Sequence, residues 1–568
     1  MTAASDDLPR FLGRSGMFAI AIGLPFLLSL INADWLGNAI GDLDTWFYYG
    51  YFKLMRTGAL ADVPAWDRNY FESRLPFNVP GWVTYSLLPD WLASRVLHIV
   101  LLNGVSALSL WSVARTHLSR GAAAAVTVWM ICDLYYLRTI GWDYVDSACV
   151  AYATLALALI THSAKGGWAA FAGAGFCVAS MLMSHLMSVV WVPVLTAYYL
   201  FVVHPGLGLF GLARRMTHHV LPALAGVAAC CVIYGLMSQY LFGGPFTFFL
   251  QQLNVATGPI KTFASPMGAL ALKGYWLTVP FAVTVAAILV LFVRQGPLRL
   301  PTHAFGRFWI AAVAVIYPGM FVVEQLNIGP YLSRNGMYVS HVFAMAYLAV
   351  ASIIFGNSSR APSLIGYVCF PVVAIVRLLT HGDGLYTYWP IPMLIVASVQ
   401  AITMLVAGAM RETRWLSAAL VLFSLTYLFV PSSFSDDRSV RRAHAYIVET
   451  APGTLPKVAW PQFDANAPTF RSIAASMTDH GDGRRADRFP ELTETKVGQV
   501  VAVLQTEPAS LEKVTARMQC AATVSHFGSK SFEGSHRNEY TPIGYTAGTD
   551  FSVHLFRIES LTPEKRCP

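Results

Sequence analysis

Charge is scarce in this chain. Asp, Glu, Lys and Arg make up 12% of its 568 residues, against roughly 25% in an ordinary soluble domain. With hydrophobic residues at 55% and a mean hydropathy of +0.51, that scarcity excludes a disordered chain, a disulfide-held miniprotein and a soluble enzyme. Metal-binding spacings are missing as well: the sequence has no CxxC, no HExxH and no Cys/His cluster at zinc spacing. No cofactor is therefore expected to be required, and a divalent metal is compatible with the residues without being indicated by them. Nor does a small-residue cleavage site follow the first apolar stretch, which reads as a retained anchor.

What is present is a polytopic membrane protein. Apolar stretches of bridging length occur near 16–36, 92–113, 121–137, 145–163, 168–184, 187–203, 220–242, 274–293, 306–323, 335–355, 362–380, 388–410 and 415–431. That predicts an all-α membrane fold of about 13 transmembrane helices, with the pair around Ser184–His185 open to being one long helix. Composition changes near Pro431. Residues 432–568 hold 16 basic and 16 acidic side chains and are neutral, so the net charge of +8 belongs entirely to residues 1–431. A basic tail for nucleic acid is thereby excluded. Short loops with Arg10, Arg14, Arg115, Arg120, Lys165, Arg214, Arg215, Arg294, Arg299, Arg307, Arg360, Arg411 and Arg414 are expected in the cytoplasm by the positive-inside rule. The N-terminus is then cytoplasmic, and residues 432–568 form a soluble periplasmic domain on the outer face of a bacterial inner membrane. Six cysteines lie in apolar segments and read as small buried hydrophobes. Cys520 and Cys567 share the outer tail and are expected to form a disulfide. Within that tail, 497–505 and 551–558 are β-prone and 509–519 reads as an amphipathic helix, so a small α/β or α+β domain is expected.

Most acids of the membrane part fall on the outer side. The first outer loop, 37–91, opens with Gly41-Asp42-Leu43-Asp44-Thr45-Trp46-Phe47-Tyr48-Tyr49-Gly50-Tyr51. Two carboxylates just outside a membrane helix are followed by aromatics suited to the interface. An interfacial helix capped by Asp42 or Asp44 accounts for the same pattern. Further on, Tyr70-Phe71-Glu72-Ser73-Arg74-Leu75-Pro76 places a cation beside a rigid turn. There it can pair with a phosphate or simply reach out of the lipid. Trp142-Asp143-Tyr144-Val145-Asp146, preceded by Arg138, lies between the third and fourth spans.

The order, side and spacing of these segments resemble the GT-C superfamily of polyprenyl-phosphate-sugar-dependent glycosyltransferases. They are most similar to the branch with aminoarabinose lipid A transferases and protein O-mannosyltransferases. Asp44, Tyr48 and Met55 match the family's spacing, with Gly58 near its loop glycine. The 70–76 segment resembles the family's Tyr-Phe-Glu-Lys-Pro-Pro stretch, Arg74 standing for the Lys one residue late. Thr45 stands where the family has Glu, which leaves the base as Asp42 or Asp44, Asp44 being favoured. The resemblance implies an inverting transfer of a sugar from a polyprenyl-phosphate donor to a lipid, glycan or protein acceptor at the periplasmic face. Lipid A or another surface glycan belongs to that class. Asp143 or Asp146 would orient the acceptor or share the base's role. Arg74, Arg138 and Arg334 would hold the donor phosphate, and Tyr48, Tyr51, Glu72, Tyr338 and His185 would line the substrate site. His341 follows Tyr338 by one turn of the same helix. Two rival readings remain: an O-antigen ligase or polymerase using a diphosphate-linked glycan through outer Arg and His, and a secondary transporter. The second is weakened by the lack of an internal inverted repeat and of mid-membrane charge.

Overall fold

Roughly 20 apolar residues at 1.5 Å per residue span a bilayer core, and four apolar runs among the described residues form helices of about that length or more. A computed structural model describes residues 14–31, 43–55, 71, 73–118, 120–131, 136, 140, 145–205, 209–251, 303–325, 340–355, 438–452, 456–460, 467–477, 496–506, 508–533, 537–538, 545–546 and 550–561. In chain order, the described helices of the membrane part are α1 (Arg14–Ile31), α2 (Leu43–Leu54), α3 (Leu75–Leu87), α4 (Asp90–His117), α5 (Arg120–Ile131), α6 (Asp146–Ser184), α7 (Leu186–Val203), α8 (Leu209–Leu241), α9 (Ala304–Gln325) and α10 (Phe343–Phe355).

Among the described residues, four helices are long and apolar enough to cross a membrane: Asp90–His117, Gly167–Ser184, Leu186–Val203 and His218–Leu241. The expected spans at 274–293, 362–380, 388–410 and 415–431 lie outside the described residues. So does the junction near Pro431. α6 is two helices joined at Gly167, whose φ of +57° is left-handed backbone that glycine adopts without a Cβ penalty. The chain also breaks after Ser184. His185 is extended, at φ −157° and ψ 123°, and a 3₁₀ turn over Leu186–Val190 starts α7. The pair expected around Ser184–His185 is thus a hairpin rather than one long helix.

Small residues let α6 and α8 touch backbone to backbone. A Cβ on Gly175 would stand 1.9 Å from the carbonyl oxygen of Ala223, and one on Gly226 would stand 1.8 Å from that of Ala172. In lipid, where hydrocarbon outside competes equally with hydrocarbon inside, such close approach is a main source of helix association. Polar ties add to it. Asn103 on α4 donates to the Ala21 carbonyl of α1 at 2.8 Å and accepts from the Tyr136 hydroxyl at 3.1 Å.

The aromatic stretch that suggests an interfacial helix does form a helix, α2, and the rest of the chain covers its rings. Trp46, Phe47, Tyr48, Tyr49, Tyr51 and Phe52 are all buried, so the helix is covered all round. α3 packs on one side: Phe71 stacks on Phe47, and Gly81 leaves room for the Phe52 ring, which a Cβ there would meet at 2.2 Å. The tail covers another side through α11 (Arg438–Thr450) and α12 (Ala467–Ser476), whose Val440, Ala443, Ile447, Phe470 and Ile473 share one core with α2. Arg441 lies 4.7 Å from the Tyr49 ring centroid, with Trp46 and Tyr85 around it. The Tyr49 hydroxyl donates to Asp90, which also pairs with Lys53 at 2.8 Å.

Among the other described residues of the tail is a four-stranded mixed sheet in the order β1 (Lys457–Ala459), β2 (Val500–Gln505), β6 (Phe551–Leu561) and β3 (Ala522–Phe532). β1 runs parallel to β2 and the other pairs are antiparallel. α13 (Pro508–Ala521) links β2 to β3, and a two-residue pair, β4 (Arg537–Asn538) with β5 (Tyr545–Thr546), stands apart. Cys520, near the end of α13, is disulfide-bonded, while Cys567 lies outside the described residues.

Candidate functional site

Asp146 is the first residue of α6, where the unpaired N–H groups of the helix favour a carboxylate. Its helix runs to the bend at Gly167 and returns, so that the turn at His185 comes back to the end where Asp146 began. The two halves are fastened there. The Cys149 thiol donates to the Met181 carbonyl at 3.5 Å, and the Ser188 hydroxyl reaches the carbonyls of Met181 and His185 at 3.0 and 2.7 Å. His341 enters from the 3₁₀ turn Ser340–Val342 before α10, its carbonyl accepting the indole N–H of buried Trp191 at 2.8 Å. Three chain segments thereby converge.

Asp146, His185 and His341 are all buried, at 0, 7 and 1% exposure. The Nε2 of His341 is 2.7 Å from Oδ1 of Asp146, and the rings of His341 and His185 lie 6.1 Å apart, nearly parallel. One potential ligand atom from each residue lies within 4.8 Å of the other two. Oδ2 of Asp146 and Nδ1 of His341 are buried without a hydrogen-bond partner among the described residues. Leaving such atoms unsatisfied costs about 1–3 kcal/mol each. His185 lies in the turn between two spans, its Nδ1 accepting the Met187 N–H at 3.3 Å. Burial first, then Arg74 and His341, hold its imidazole well below the usual histidine range and so neutral.

Arg74 stands just before α3, whose first turn it starts by accepting the N–H groups of Phe77 and Asn78 at 3.0 Å. It is 5% exposed and donates from Nη1 to the Tyr48 hydroxyl, its guanidinium also facing the Tyr48 ring at 5.8 Å. α3 is tied to α6 where Tyr152 donates to the Pro76 carbonyl at 2.9 Å. The Arg74 guanidinium thus touches α2 through Tyr48 and acts electrostatically on His185, one of the three residues of the carboxylate–imidazole cluster.

Of the residues singled out from sequence, the structure brings Arg74 together with Tyr48, and Asp146 with His185. Tyr51 is buried against Phe71 at 6.2 Å as part of the aromatic core. Asp44 lies in α2 one turn before Tyr48, and only its backbone is described. Asp42, Glu72, Arg138, Asp143, Arg334 and Tyr338 lie outside the described residues. His341 and Trp191 carry more of the site than their sequence context shows. Their partners are 195 and 150 residues away, a separation that no local spacing reports.

An apolar cavity of about 280 Å³ lies elsewhere, between α6, α7 and α8, lined by Phe171, Ala174, Val178, Leu195, Tyr199 and Ala223. Phe171 is 13 residues before Ser184 along the second half of α6, about 20 Å at helical rise. None of Arg74, Asp146, His185 and His341 is among the cavity's lining residues.

No family model matches the chain, and no curated protein matches it. Among solved structures, the chain is similar to the arabinosyltransferase EmbB from Mycobacterium smegmatis, determined by single-particle cryo-EM, with 12% identity and a TM-score of 0.45. The likeness covers 75% of this chain and 41% of that one, so the chain spans about two fifths of that protein's length. A likeness of that size lends no weight to a functional reading, which rests on the geometry of the site.

Proposed function

We propose that this chain is a membrane-embedded inverting glycosyltransferase. It moves a sugar from a polyprenyl phosphate to a lipid, glycan or protein acceptor at the periplasmic face of a bacterial inner membrane. The observation that carries the reading is the buried guanidinium of Arg74, held by Tyr48 and acting electrostatically on His185, which clusters with Asp146 and His341. A planar guanidinium suits a phosphate because it donates two parallel hydrogen bonds. The surrounding low dielectric strengthens that attraction.

In the proposed step, an acceptor hydroxyl attacks the anomeric carbon and gives its proton to a carboxylate. The carbon–oxygen bond to phosphate breaks, and its electron pair leaves with the phosphate oxygen beside Arg74. Phosphate leaves without a general acid, so one base suffices. Asp44, one turn before Tyr48 in α2, fills that role, with Asp42 as the neighbouring alternative and Asp143 orienting the acceptor. Base assistance contributes about 10²–10⁴-fold. Electrostatic support of the leaving phosphate is of comparable or larger size. Arg138 and Arg334 would add to the phosphate site, and Glu72 and Tyr338 would line the sugar and acceptor side, whereas Tyr51 belongs to the aromatic core.

The influence of Arg74 on His185, itself beside His341, also suits a second reading, an O-antigen ligase or polymerase that uses a diphosphate-linked glycan. Purified protein supplied separately with monophosphate-linked and diphosphate-linked sugars separates the two. Transfer from the monophosphate donor, lost in Asp44→Asn and retained in Asp42→Asn, is the expected result. Transfer from the diphosphate donor alone would establish the second reading. Undiminished transfer in Asp42→Asn, Asp44→Asn and Asp146→Asn would remove the carboxylate mechanism.

A further inference from the structure

We infer that Asp146, His185 and His341 form a binding site for one divalent transition-metal ion of the zinc class. Two imidazoles and one carboxylate are the donor set of a borderline cation; magnesium and calcium prefer shells made of oxygen alone. The three residues come from segments far apart in sequence, the start of α6, the turn after it and the 3₁₀ turn before α10, yet each offers a ligand atom within 4.8 Å of the others. Ligands 2.0–2.1 Å from a tetrahedral zinc stand about 3.3 Å apart. The 2.7 Å contact between Asp146 and His341 would then open by about half an ångström as the ion entered.

The hydrogen bonding points to a ligand independently. Asp146 and His341 satisfy one another with one atom each and leave Oδ2 and Nδ1 buried and unmatched among the described residues. A metal ion removes that cost, either by direct ligation or by taking one atom while the other steadies the ring, as partners behind metal-bound histidines commonly do. Trp191 fixes the His341 backbone at 2.8 Å, so this ligand's position does not depend on the ion.

Three protein ligands leave at least one coordination position open, the arrangement of catalytic rather than structural zinc sites. The consequence for the reaction rests on the glycosyl-transfer reading. The open position, beside Arg74, would take an oxygen of the donor phosphate, and ion and guanidinium together would hold the charge that builds on it as the sugar leaves.

The test reads metal binding with no sugar substrate present, so its outcome is separate from that of the transfer assay. The full chain in lipid nanodiscs is stripped with a chelator and titrated with Co²⁺, followed by visible absorption, and with Zn²⁺ in competition. The expected result is one equivalent bound, with the intense absorption of a four-coordinate cobalt site containing nitrogen ligands, displaced by zinc. His185→Gln and His341→Gln, checked for an unchanged thermal midpoint, should each lower affinity by more than about 100-fold, beyond what loss of an outer partner does. Failure of the stripped wild-type protein to bind either ion at micromolar concentration overturns the proposal whether or not the variants fold. So does a cobalt spectrum that both histidine variants leave intact.

Discussion

Acid should loosen the tail from the membrane part through one residue, His444. This histidine lies in α11, fully enclosed, its ring 5.0 Å from that of Tyr49 in α2. The Ser476 hydroxyl donates to the Ile473 carbonyl at 2.7 Å, so it is the Nδ1–H of His444 that donates to Ser476 Oγ at 3.1 Å. Nε2 is then the nitrogen that must take a second proton, and it is buried with no partner among the described residues. Burial first, then Lys53, lower the pKa from 6.5 to about 3, with Arg441 acting in the same direction and Asp90 opposing. A histidine whose folded pKa is depressed binds its proton more readily when unfolded. Its contribution is therefore fully present above pH 6.5 and declines as pH falls towards 3. At 1.36 kcal/mol per pK unit, the drop from pH 7.5 to pH 5 costs about 2 kcal/mol, or about 30-fold in the opening equilibrium. Hydrogen exchange of peptides covering Arg438–Thr450, corrected for intrinsic rates, reads that factor directly. In His444→Asn, which cannot titrate, the pH-dependent part of the loss should vanish. Equal protection at both pH values in the wild type, or an unchanged pH slope in the variant, would refute the reasoning.

Three other outcomes are expected. Arg74→Lys keeps the charge but loses the fork that reaches Tyr48; with a charged hydrogen bond worth about 1.5–3 kcal/mol, kcat/KM for the lipid-linked donor should fall about 10–100-fold while the thermal midpoint stays within a few degrees. Gly226→Val sets a side chain against the Ala172 carbonyl, where even a Cβ would be 1.8 Å away; overpacking of at least about 1–3 kcal/mol should lower the thermal midpoint in detergent, with Gly23→Val, where a Cβ meets nothing within 4 Å among the described residues, as the control expected to change less. Trp191→Phe removes the donor to the buried His341 carbonyl and should cost about 1–3 kcal/mol of stability, visible in the same thermal measurement, together with a weaker cobalt titration.

Spans and strands were legible where one periodicity dominates. The hairpin at Ser184–His185, the strand 551–558 and the helix 509–519 occur in the structure as His185, β6 (Phe551–Leu561) and α13 (Pro508–Ala521). α11 and α12 were not, because their apolar residues are few and make sense only against Trp46, Tyr49 and Phe52 some 400 residues earlier. For the same reason α2 reads as an interfacial helix in sequence: its tyrosines fit a headgroup layer until α3 and the tail cover them. At the site, Arg74 and Asp146 stood out because charge is rare in this chain. His341 did not, because a lone histidine at a helix start is unremarkable until its carboxylate is placed 2.7 Å away.

The most direct test of the central claim is a structure of the full chain in lipid with a non-transferable polyprenyl-phosphate sugar bound. Phosphate oxygens are expected within about 3 Å of the Arg74 guanidinium, with the anomeric carbon between Arg74 and α2. A donor whose phosphate sits away from Arg74, or whose head group lies by the apolar cavity lined by Phe171 and Tyr199, would contradict it.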